Sequence, residues 1–201
     1  MTPYELKLER EREKRKLKEL SEKWCCPLSN GSKKLYEVID EMEDWSLEQQ
    51  DVPLIIKLVE NPKYKSSELF TGAVTLFNHD CIHAVLSRGI LPKDEAFVIG
   101  YTMGSSKRMK RWRRNLFMFC AKYLYPEEYR FGEEERFVFN MGVMAGSLCK
   151  EDLSRVNFAE FSEMSINRIR QRLGIKKTFL KYCYLIEKEC FPNSIESKRN
   201  V

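Results

Sequence analysis

The sequence predicts an all-α fold, a single globular helical domain of about eight helices. Apolar residues recur along most of the 201-residue chain at the three-to-four-residue spacing of amphipathic helices. The period-two alternation that is typical of strands bounded by turns does not stand out anywhere in the sequence. Hydrophobic residues make up 43% of the chain, which is enough to bury a sizeable core.

Length and charge pattern predict three parts. We predict a charged N-terminal helix and loop over residues 1–30 as an appendage, an all-helical core domain over 31–191, and a polar tail over 192–201. The N-terminal segment pairs opposite charges at helical spacing beside a thin apolar stripe. It is therefore either a solvated helix or an arm that binds a partner.

Capping and helix-breaking residues set the order of the helices. A charged helix is predicted over residues 2–24, followed by helices over 35–45, 51–61, 66–89, 92–104, 105–126, 132–150, 157–174 and 176–191. Ser66 or Ser67 is the expected N-cap of the fourth helix, which is expected to close at Gly89. Pro92 opens the next helix, so these two helices form an antiparallel hairpin.

This predicted hairpin, at residues 77–97, contains the only two histidines of the chain, His79 and His83. Residues four apart lie on one face of a helix, so both imidazoles can point at one place. Asp80 lies about 100° further round the helix and can reach the same place from its edge. Glu95 follows the turn, and the returning helix can bring it opposite the histidines.

Two neutral imidazoles with one or two carboxylates suit zinc or another divalent first-row ion. The candidate metal ligands are therefore His79, Asp80, His83 and Glu95, which places a metal site on the helix hairpin. Asp80 can alternatively hold a histidine ring in its ligating tautomer without touching the metal. The competing interpretation is that both histidines are capping or core residues and bind no metal.

The same residues resemble the signature of the coenzyme Q (ubiquinone) biosynthesis protein 4 family. That signature is His-Asp-x-x-His, eleven further residues and Glu, and it is matched here by His79, Asp80, His83, residues 84–94 and Glu95. The resemblance implies an all-helical fold that carries a divalent ion, usually zinc, at this motif. It also implies a role in ubiquinone biosynthesis, either organising other biosynthetic proteins or exchanging a ring carboxyl for a hydroxyl.

The resemblance covers residues 51–175 in outline, and only the metal motif is specific. Asp94 stands where glycine is common in the family, and Ile99 stands where lysine is common. Family members associate peripherally with membranes, because their substrate carries a polyprenyl tail. The resemblance therefore implies an isoprenoid-quinone-like ligand, contact with a membrane, and biosynthetic-complex or homo-oligomer partners.

Two functional hypotheses follow from the motif. In the first, the protein is a metal-dependent enzyme of lyase or oxidoreductase type, whose ion acts as a Lewis acid on a carboxylate or phenolic oxygen or activates water. In the second, it is an adaptor that uses the metal only to hold the hairpin. A His-Asp phosphohydrolase is disfavoured, because that class needs a further histidine upstream of His79.

A basic run at residues 107–114 holds six cations in eight residues. On a continuous helix, one face would carry Lys107, Lys110, Arg111 and Arg114, with Arg108 beside it. Trp112, Leu116 and Phe119 would form the apolar side. This run is a solvated face, a site for anionic lipid headgroups, or a contact for the phosphates of a nucleic acid.

Residues 117–131 are dense in aromatic side chains, which predict either core or a hydrophobic pocket for an isoprenoid tail. Further on, Gly142, Ala145 and Gly146 permit close contact between helices. They do not form a phosphate-binding loop, because the required lysine is missing and the segment is mid-helix.

The seven cysteines are odd in number, mostly scattered and without a Cys-x-x-Cys pair. This pattern predicts reduced, mostly buried thiols rather than disulfides or a cysteine zinc site. The charged start resembles neither a secretory signal nor a mitochondrial presequence, and no apolar run approaches the roughly 20 residues that span a bilayer. A cytoplasmic location, with membrane association at most peripheral, is expected.

Overall fold

The computed structural model describes residues 24–43 and 74–199, together with the isolated positions 5, 8, 9 and 12. Over these residues the chain forms eight α-helices and no strand, so the all-α prediction is confirmed. In chain order the helices are α1 (Leu35–Glu43), α2 (Leu76–Leu86), α3 (Pro92–Ser105), α4 (Arg111–Tyr123), α5 (Glu133–Gly146), α6 (Ile166–Leu173), α7 (Lys177–Cys190) and α8 (Ile195–Arg199).

Two predicted helices fall outside this description. The helix over 51–61 lies wholly outside the described residues, and the N-terminal helix over 2–24 lies almost wholly outside them. The expected caps Ser66 and Ser67 are also outside them.

The main core is built from the inner faces of α1, α2, α3, α5, α6 and α7. Val38, Val85, Phe97, Ile169 and Tyr184 each come from a different helix and are all buried in this one cluster. A second, smaller cluster surrounds the inner face of α4. The helices are therefore held by apolar burial, which is the main stabilising contribution in a fold of this kind.

Helices α3 and α5 pack backbone against backbone. Four glycines face the partner helix in this contact: Gly100 and Gly104 of α3, and Gly142 and Gly146 of α5. A Cβ atom added to Gly146 would lie 2.1 Å from the carbonyl oxygen of Tyr101, which leaves no space for a side chain. The close helix contact predicted from the small residues of α5 is confirmed, and it fixes the position of α3.

The helix that carries the histidines is shorter than predicted at both ends. It begins at Leu76, where the Thr75 hydroxyl accepts a hydrogen bond from the Asn78 N–H at 3.3 Å. It ends at Leu86, because Ser87 adopts the left-handed conformation with φ 57°. The prediction that this helix closes at Gly89 is wrong. The side chain of Arg170, on α6, bonds the Ser87 hydroxyl at 2.7 Å and so supports the earlier end.

The predicted helix over 157–174 is interrupted. A 3-10 turn at Phe158–Phe161 comes first, and α6 starts only at Ile166. Between them the backbone pairs with a distant segment, since the Leu35 N–H bonds Met164 and the Ile166 N–H bonds Lys33, both at 3.0 Å. The predicted end at Gly174 is confirmed by its positive φ of 77°.

The predicted basic helix face does not form. Helix α4 begins at Arg111, and the segment 106–110 before it is a turn and extended chain. The placement of Lys107 and Lys110 on one helical face with Arg111 is therefore wrong. The segment is held by a hydrogen bond of 2.8 Å from the Ser106 hydroxyl to Asp152, a contact that local sequence does not indicate.

Described residues of both the predicted N-terminal appendage and the predicted C-terminal tail pack against the folded core. Cys26 and Leu28, in the predicted appendage, belong to the main core. The predicted polar tail contains α8, whose Ser197 is buried and bonds Glu187 through its hydroxyl at 3.3 Å.

The prediction that most of the thiols are buried is confirmed. Five of the seven are buried, Cys25 is half-buried, and Cys190 is exposed. Among the described helices, none combines the length and the apolar character needed to cross a bilayer.

Candidate metal centre

The hairpin of α2 and α3 brings three of the four predicted ligands together. His79 and His83 of α2 and Glu95 of α3 each offer one ligand atom, and these atoms all lie within 4.8 Å of one another. The two carboxylate oxygens of Glu95 are divided between the histidines, at 3.4 Å from His79 Nε2 and 3.2 Å from His83 Nε2. The i,i+4 spacing and the antiparallel return therefore act as the sequence predicts.

A backbone carbonyl in the turn orients the ring of His83. Its Nδ1 lies 2.6 Å from the carbonyl oxygen of Gly89 in the turn. A carbonyl can only accept, so Nδ1 carries a proton in the neutral and in the charged ring, and Nε2 faces Glu95. Metal-binding histidines are typically held in this way by a backbone carbonyl or a carboxylate.

Both Nε2 atoms lack a hydrogen-bond partner among the described residues. Those of His79 and His83 are buried, and their contacts with Glu95 do not have hydrogen-bond geometry. A buried polar atom without a partner costs about 1–3 kcal/mol. A metal ion between the two nitrogens and the carboxylate would satisfy both atoms, so the donor set fits a divalent ion with nitrogen and oxygen ligands.

The three groups of the site differ in how burial and neighbouring charges shift their pKa values. Burial lowers the pKa of His79 to about 4, so this ring is neutral near pH 7, the form that ligates a metal. Burial also acts to lower the pKa of His83, but the contact with Glu95 outweighs it and the pKa is raised. Burial acts to raise the pKa of Glu95, but the two imidazoles together act more strongly to lower it. The pKa is therefore below its ordinary value, and the carboxylate stays ionised.

Asp80 is not a member of the group whose ligand atoms meet. It lies half-buried on α2 between the histidines, and its charge contributes to the raised pKa of His83. It therefore acts on the site over a longer distance than the other three residues. Its part in positioning a ligand stays a prediction.

The three residues of the group differ in the exposure of their side chains. The side chain of His83 is completely buried, that of His79 is 16% exposed, and that of Glu95 is 32% exposed. Among the described residues, Glu95 and His79 therefore form the more exposed side of the group, and His83 forms its buried side.

A buried arginine in the turn holds the hairpin, and sequence reasoning missed it. Arg88 is fully buried, with its guanidinium 4.1 Å from the ring centre of Phe97 and 4.3 Å from that of Tyr184. It makes ion pairs with Glu187 of α7 at 2.5 Å and with Asp94 at 3.5 Å, and both carboxylates are buried. Burial alone would lower the pKa of Arg88, but Glu187 and Tyr184 raise it, so the group is charged.

These contacts fix the first turn of α3. Asp94 directly precedes the candidate ligand Glu95, and its carboxylate also accepts a hydrogen bond from the Leu91 N–H at 3.2 Å. Arg88 thereby links the turn, the start of α3 and the end of α7. A cation inside a stretch that is otherwise apolar is the signal that could have revealed it, because a charge there needs a buried partner.

Other carbonyls at the end of α2 are bonded by side chains from distant helices. Arg170 donates to the carbonyl of Val85 at 2.7 Å, and the Tyr184 hydroxyl donates to that of Leu86. Helix ends leave carbonyls without intrahelical partners, so these contacts stabilise the turn where it is most buried.

The remaining predicted site residues lie elsewhere. The predicted anion-binding cations are Lys107, Arg108 and Lys110 on the segment before α4, and Arg111 and Arg114 in its first turn. The core interpretation of the aromatic segment is confirmed for Phe117, Tyr125 and Phe131, which are buried. It is wrong for Phe119 and Tyr123, which are exposed.

Comparisons with known proteins identify no relative of this chain. No protein-family model matches the chain, and neither the curated proteins nor the solved structures give a significant match. The resemblance to the coenzyme Q biosynthesis protein 4 family therefore stays a prediction that rests on the motif at positions 79–95.

Proposed function

We propose that the α2–α3 hairpin binds one divalent transition-metal ion, most readily zinc, through His79, His83 and Glu95. One observation carries this proposal: two buried Nε2 atoms without hydrogen-bond partners converge on one carboxylate. An ion pair between Glu95 and a protonated His83 accounts for one of these atoms and leaves the buried Nε2 of His79 without a partner.

The number of ligands favours a catalytic ion over a structural one. Structural zinc sites are closed by four protein ligands, whereas catalytic sites use three and leave a position for water or substrate. The described residues bring three ligand groups together, and Glu95 and His79 are only partly buried. We therefore propose that the hairpin is the centre of an active site.

The motif supports a substrate class. Its resemblance to the coenzyme Q biosynthesis protein 4 family favours a quinone-type ring that bears a carboxylate or a phenolic oxygen and a lipid tail. Loss of the ring carboxylate as carbon dioxide, with a proton taking its place on the ring carbon, balances without an oxidant. Placing a hydroxyl there instead requires an oxidant such as dioxygen.

Each residue of the site has a distinct part in this proposal. When bound, the ion supplies Lewis acidity towards a carboxylate or phenolic oxygen, or lowers the pKa of bound water. The Gly89 carbonyl holds the His83 ring so that Nε2 points into the site. Glu95 balances positive charge and lies at the entrance, where it can position the substrate or hold a proton.

Metal titration of the purified protein tests the first step. We expect the wild type to bind one zinc ion per chain, and the His79→Ala plus His83→Ala variant to bind none. Glu95→Gln should weaken binding at least about tenfold, because the negative charge is lost. Glu151→Gln, an exposed glutamate outside the group, is the matched control and should bind as the wild type does. Equal metal content in the wild type and the double histidine variant would contradict the proposal.

An adaptor is the second candidate function. The three ligand groups come from two helices, so a bound ion would also cross-link the hairpin. The two functions differ in turnover: the enzyme should release carbon dioxide from a polyprenylated hydroxybenzoate, and Glu95→Gln should not. A metal-loaded protein that releases none, but whose unfolding temperature falls on metal removal, would favour the adaptor.

A further inference from the structure

Helix α4 exposes a line of aromatic side chains, which we term the aromatic stripe. Trp112, Phe119 and Tyr123 are 48%, 54% and 57% exposed. Their spacing of seven and eleven residues places them on one face, since eleven residues make about three helical turns. The opposite face of α4 is anchored in the core by Phe117 and Ala121, which are completely buried.

The segment that carries the aromatic stripe is rich in basic residues and contains no acidic residue. Residues 105–126 contain seven lysines and arginines and no aspartate or glutamate. Arg111 and Lys122 are also eleven residues apart, so they follow the edge of the stripe. Lys107, Arg108 and Lys110 lie at its N-terminal end, and all three are exposed.

Two of these cations have weak ion pairs with acids from other segments. Arg108 lies 3.9 Å from Asp152, and Lys122 lies 3.5 Å from Glu133. Both cations are about half exposed, so solvent screens the pairs and they contribute little. These two cations therefore remain available to an anionic surface.

We propose that α4 docks on the surface of a lipid bilayer that contains anionic lipids. In this orientation the aromatic stripe enters the boundary between headgroups and acyl chains, and the cations contact the headgroups. Long basic side chains can lie along the apolar layer while their charges stay in water. This contact does not depend on the metal site.

The charge pattern distinguishes α4 from the exposed apolar residues at α5. Met144 of α5 and Leu148 just after its end are exposed, but the first turn of α5 consists of Glu133, Glu134 and Glu135, which an anionic bilayer repels. A nucleic acid would satisfy the cations of α4 and leave the exposed aromatic rings without an apolar environment. Only an anionic bilayer matches both properties of α4.

Sedimentation with vesicles tests the proposal. The full chain is mixed with vesicles of phosphatidylcholine alone, or of phosphatidylcholine with phosphatidylserine, at low and at physiological salt. We expect strong binding only with phosphatidylserine, decreasing with salt. Lys110→Gln plus Arg111→Gln should lower the partition coefficient about 30-fold, the equivalent of ~1 kcal/mol per cation. Trp112→Ser plus Phe119→Ser should lower it on the order of tenfold or more.

The matched control removes two exposed apolar residues from the other surface. Met144→Ser plus Leu148→Ser should bind as the wild type does, and circular dichroism confirms that all variants keep their helices. In a separate measurement, brominated lipid should quench the tryptophan fluorescence of the wild type more than that of Trp112→Phe, which keeps an aromatic ring and should still bind.

Three results would overturn the proposal. The first is a wild type that does not sediment with phosphatidylserine vesicles at low salt. The second is equal binding by the wild type and both α4 variants. The third is retention of single-stranded RNA or duplex DNA without any binding to vesicles, which would identify a nucleic acid as the partner of the basic residues.

Discussion

The hairpin of α2 and α3 and the outer face of α4 depart from the usual distribution of residues in opposite ways. The hairpin buries polar and charged groups, among them His83, Arg88 and Asp94, none of which is measurably exposed. Helix α4 instead exposes large aromatic groups, with Trp112 and Phe119 about half accessible. Buried polar groups and exposed apolar patches are the two observations that carry information about function.

The two regions differ in the partners that their side chains have. Most buried polar groups of the hairpin have a fixed partner. The four atoms without a hydrogen-bond partner are Nε2 of His79 and of His83, and Nε and Nη1 of Arg88. The exposed aromatic residues of α4 contact neighbours on the same helix, as Phe119 and Tyr123 do with ring centroids 5.1 Å apart. A ligand is thus expected to complete the hairpin, and a surface is expected to cover α4.

The largest expected effect is the loss of the buried arginine. Arg88→Leu leaves Glu187 and Asp94 buried without their cation, so we expect the free energy of unfolding to fall by about 3–5 kcal/mol. Arg88→Lys keeps the charge and should lose less. Urea unfolding measures both. Arg136→Leu, which removes an exposed ion pair with Glu133 of 3.4 Å, is the control and should change stability by no more than about 0.5 kcal/mol.

A similar loss for Arg88→Leu and Arg136→Leu would contradict the view that the turn is held by the buried ion pairs.

The second effect concerns the contact that fixes α3. Gly146→Ala places a Cβ atom against the backbone of Tyr101, so the two helices must separate. We expect a loss of about 1–3 kcal/mol in the free energy of unfolding, together with weaker metal binding, because α3 carries Glu95. Met144→Ala, two residues earlier on the exposed side of α5, should cost no more than about 0.5 kcal/mol. If Gly146→Ala is as stable as the wild type, the close packing of these helices is not as described.

The third prediction is the pH dependence of metal affinity. With a pKa of about 4, His79 is neutral between pH 4 and 6.5, whereas the raised pKa of His83 keeps that ring protonated below pH 6.5. One proton must therefore leave when a metal binds, so affinity should fall about tenfold for each unit that the pH falls in this range. Competition titrations with a chelator measure it. A fall near a hundredfold per unit would show that both histidines release protons.

The smallest expected effect lies on α4. Trp112→Ser and Phe119→Ser remove exposed groups, so each should change the free energy of unfolding by no more than about 0.5 kcal/mol. Phe117→Ala, from the buried face of the same helix, should cost about 3–5 kcal/mol. Thermal or urea unfolding compares them. A large fall in the free energy of unfolding for Trp112→Ser or Phe119→Ser would mean that the aromatic stripe stabilises the fold rather than binding a partner.

The parts of the fold that depend on local spacing could be predicted from the sequence. The i,i+4 histidines, the opening of α3 at Pro92 and the end of α6 at Gly174 all follow from nearby residues. What could not be predicted depends on distant partners. Arg88 meets Glu187 99 residues away, and Ser106 meets Asp152 46 residues away. The first contact helps to hold the hairpin of α2 and α3, and the second holds the segment before α4.

X-ray absorption of the zinc-loaded protein tests the central claim most directly, because it identifies the ligands around the ion. We predict a shell of nitrogen and oxygen without sulfur, with the scattering of two imidazole rings, at zinc–nitrogen distances of about 2.0–2.1 Å. The imidazole scattering should disappear in His79→Ala plus His83→Ala and persist in Glu151→Gln. Sulfur in the shell, or imidazole scattering that survives in the double histidine variant, would contradict the claim that the hairpin of α2 and α3 is a metal site.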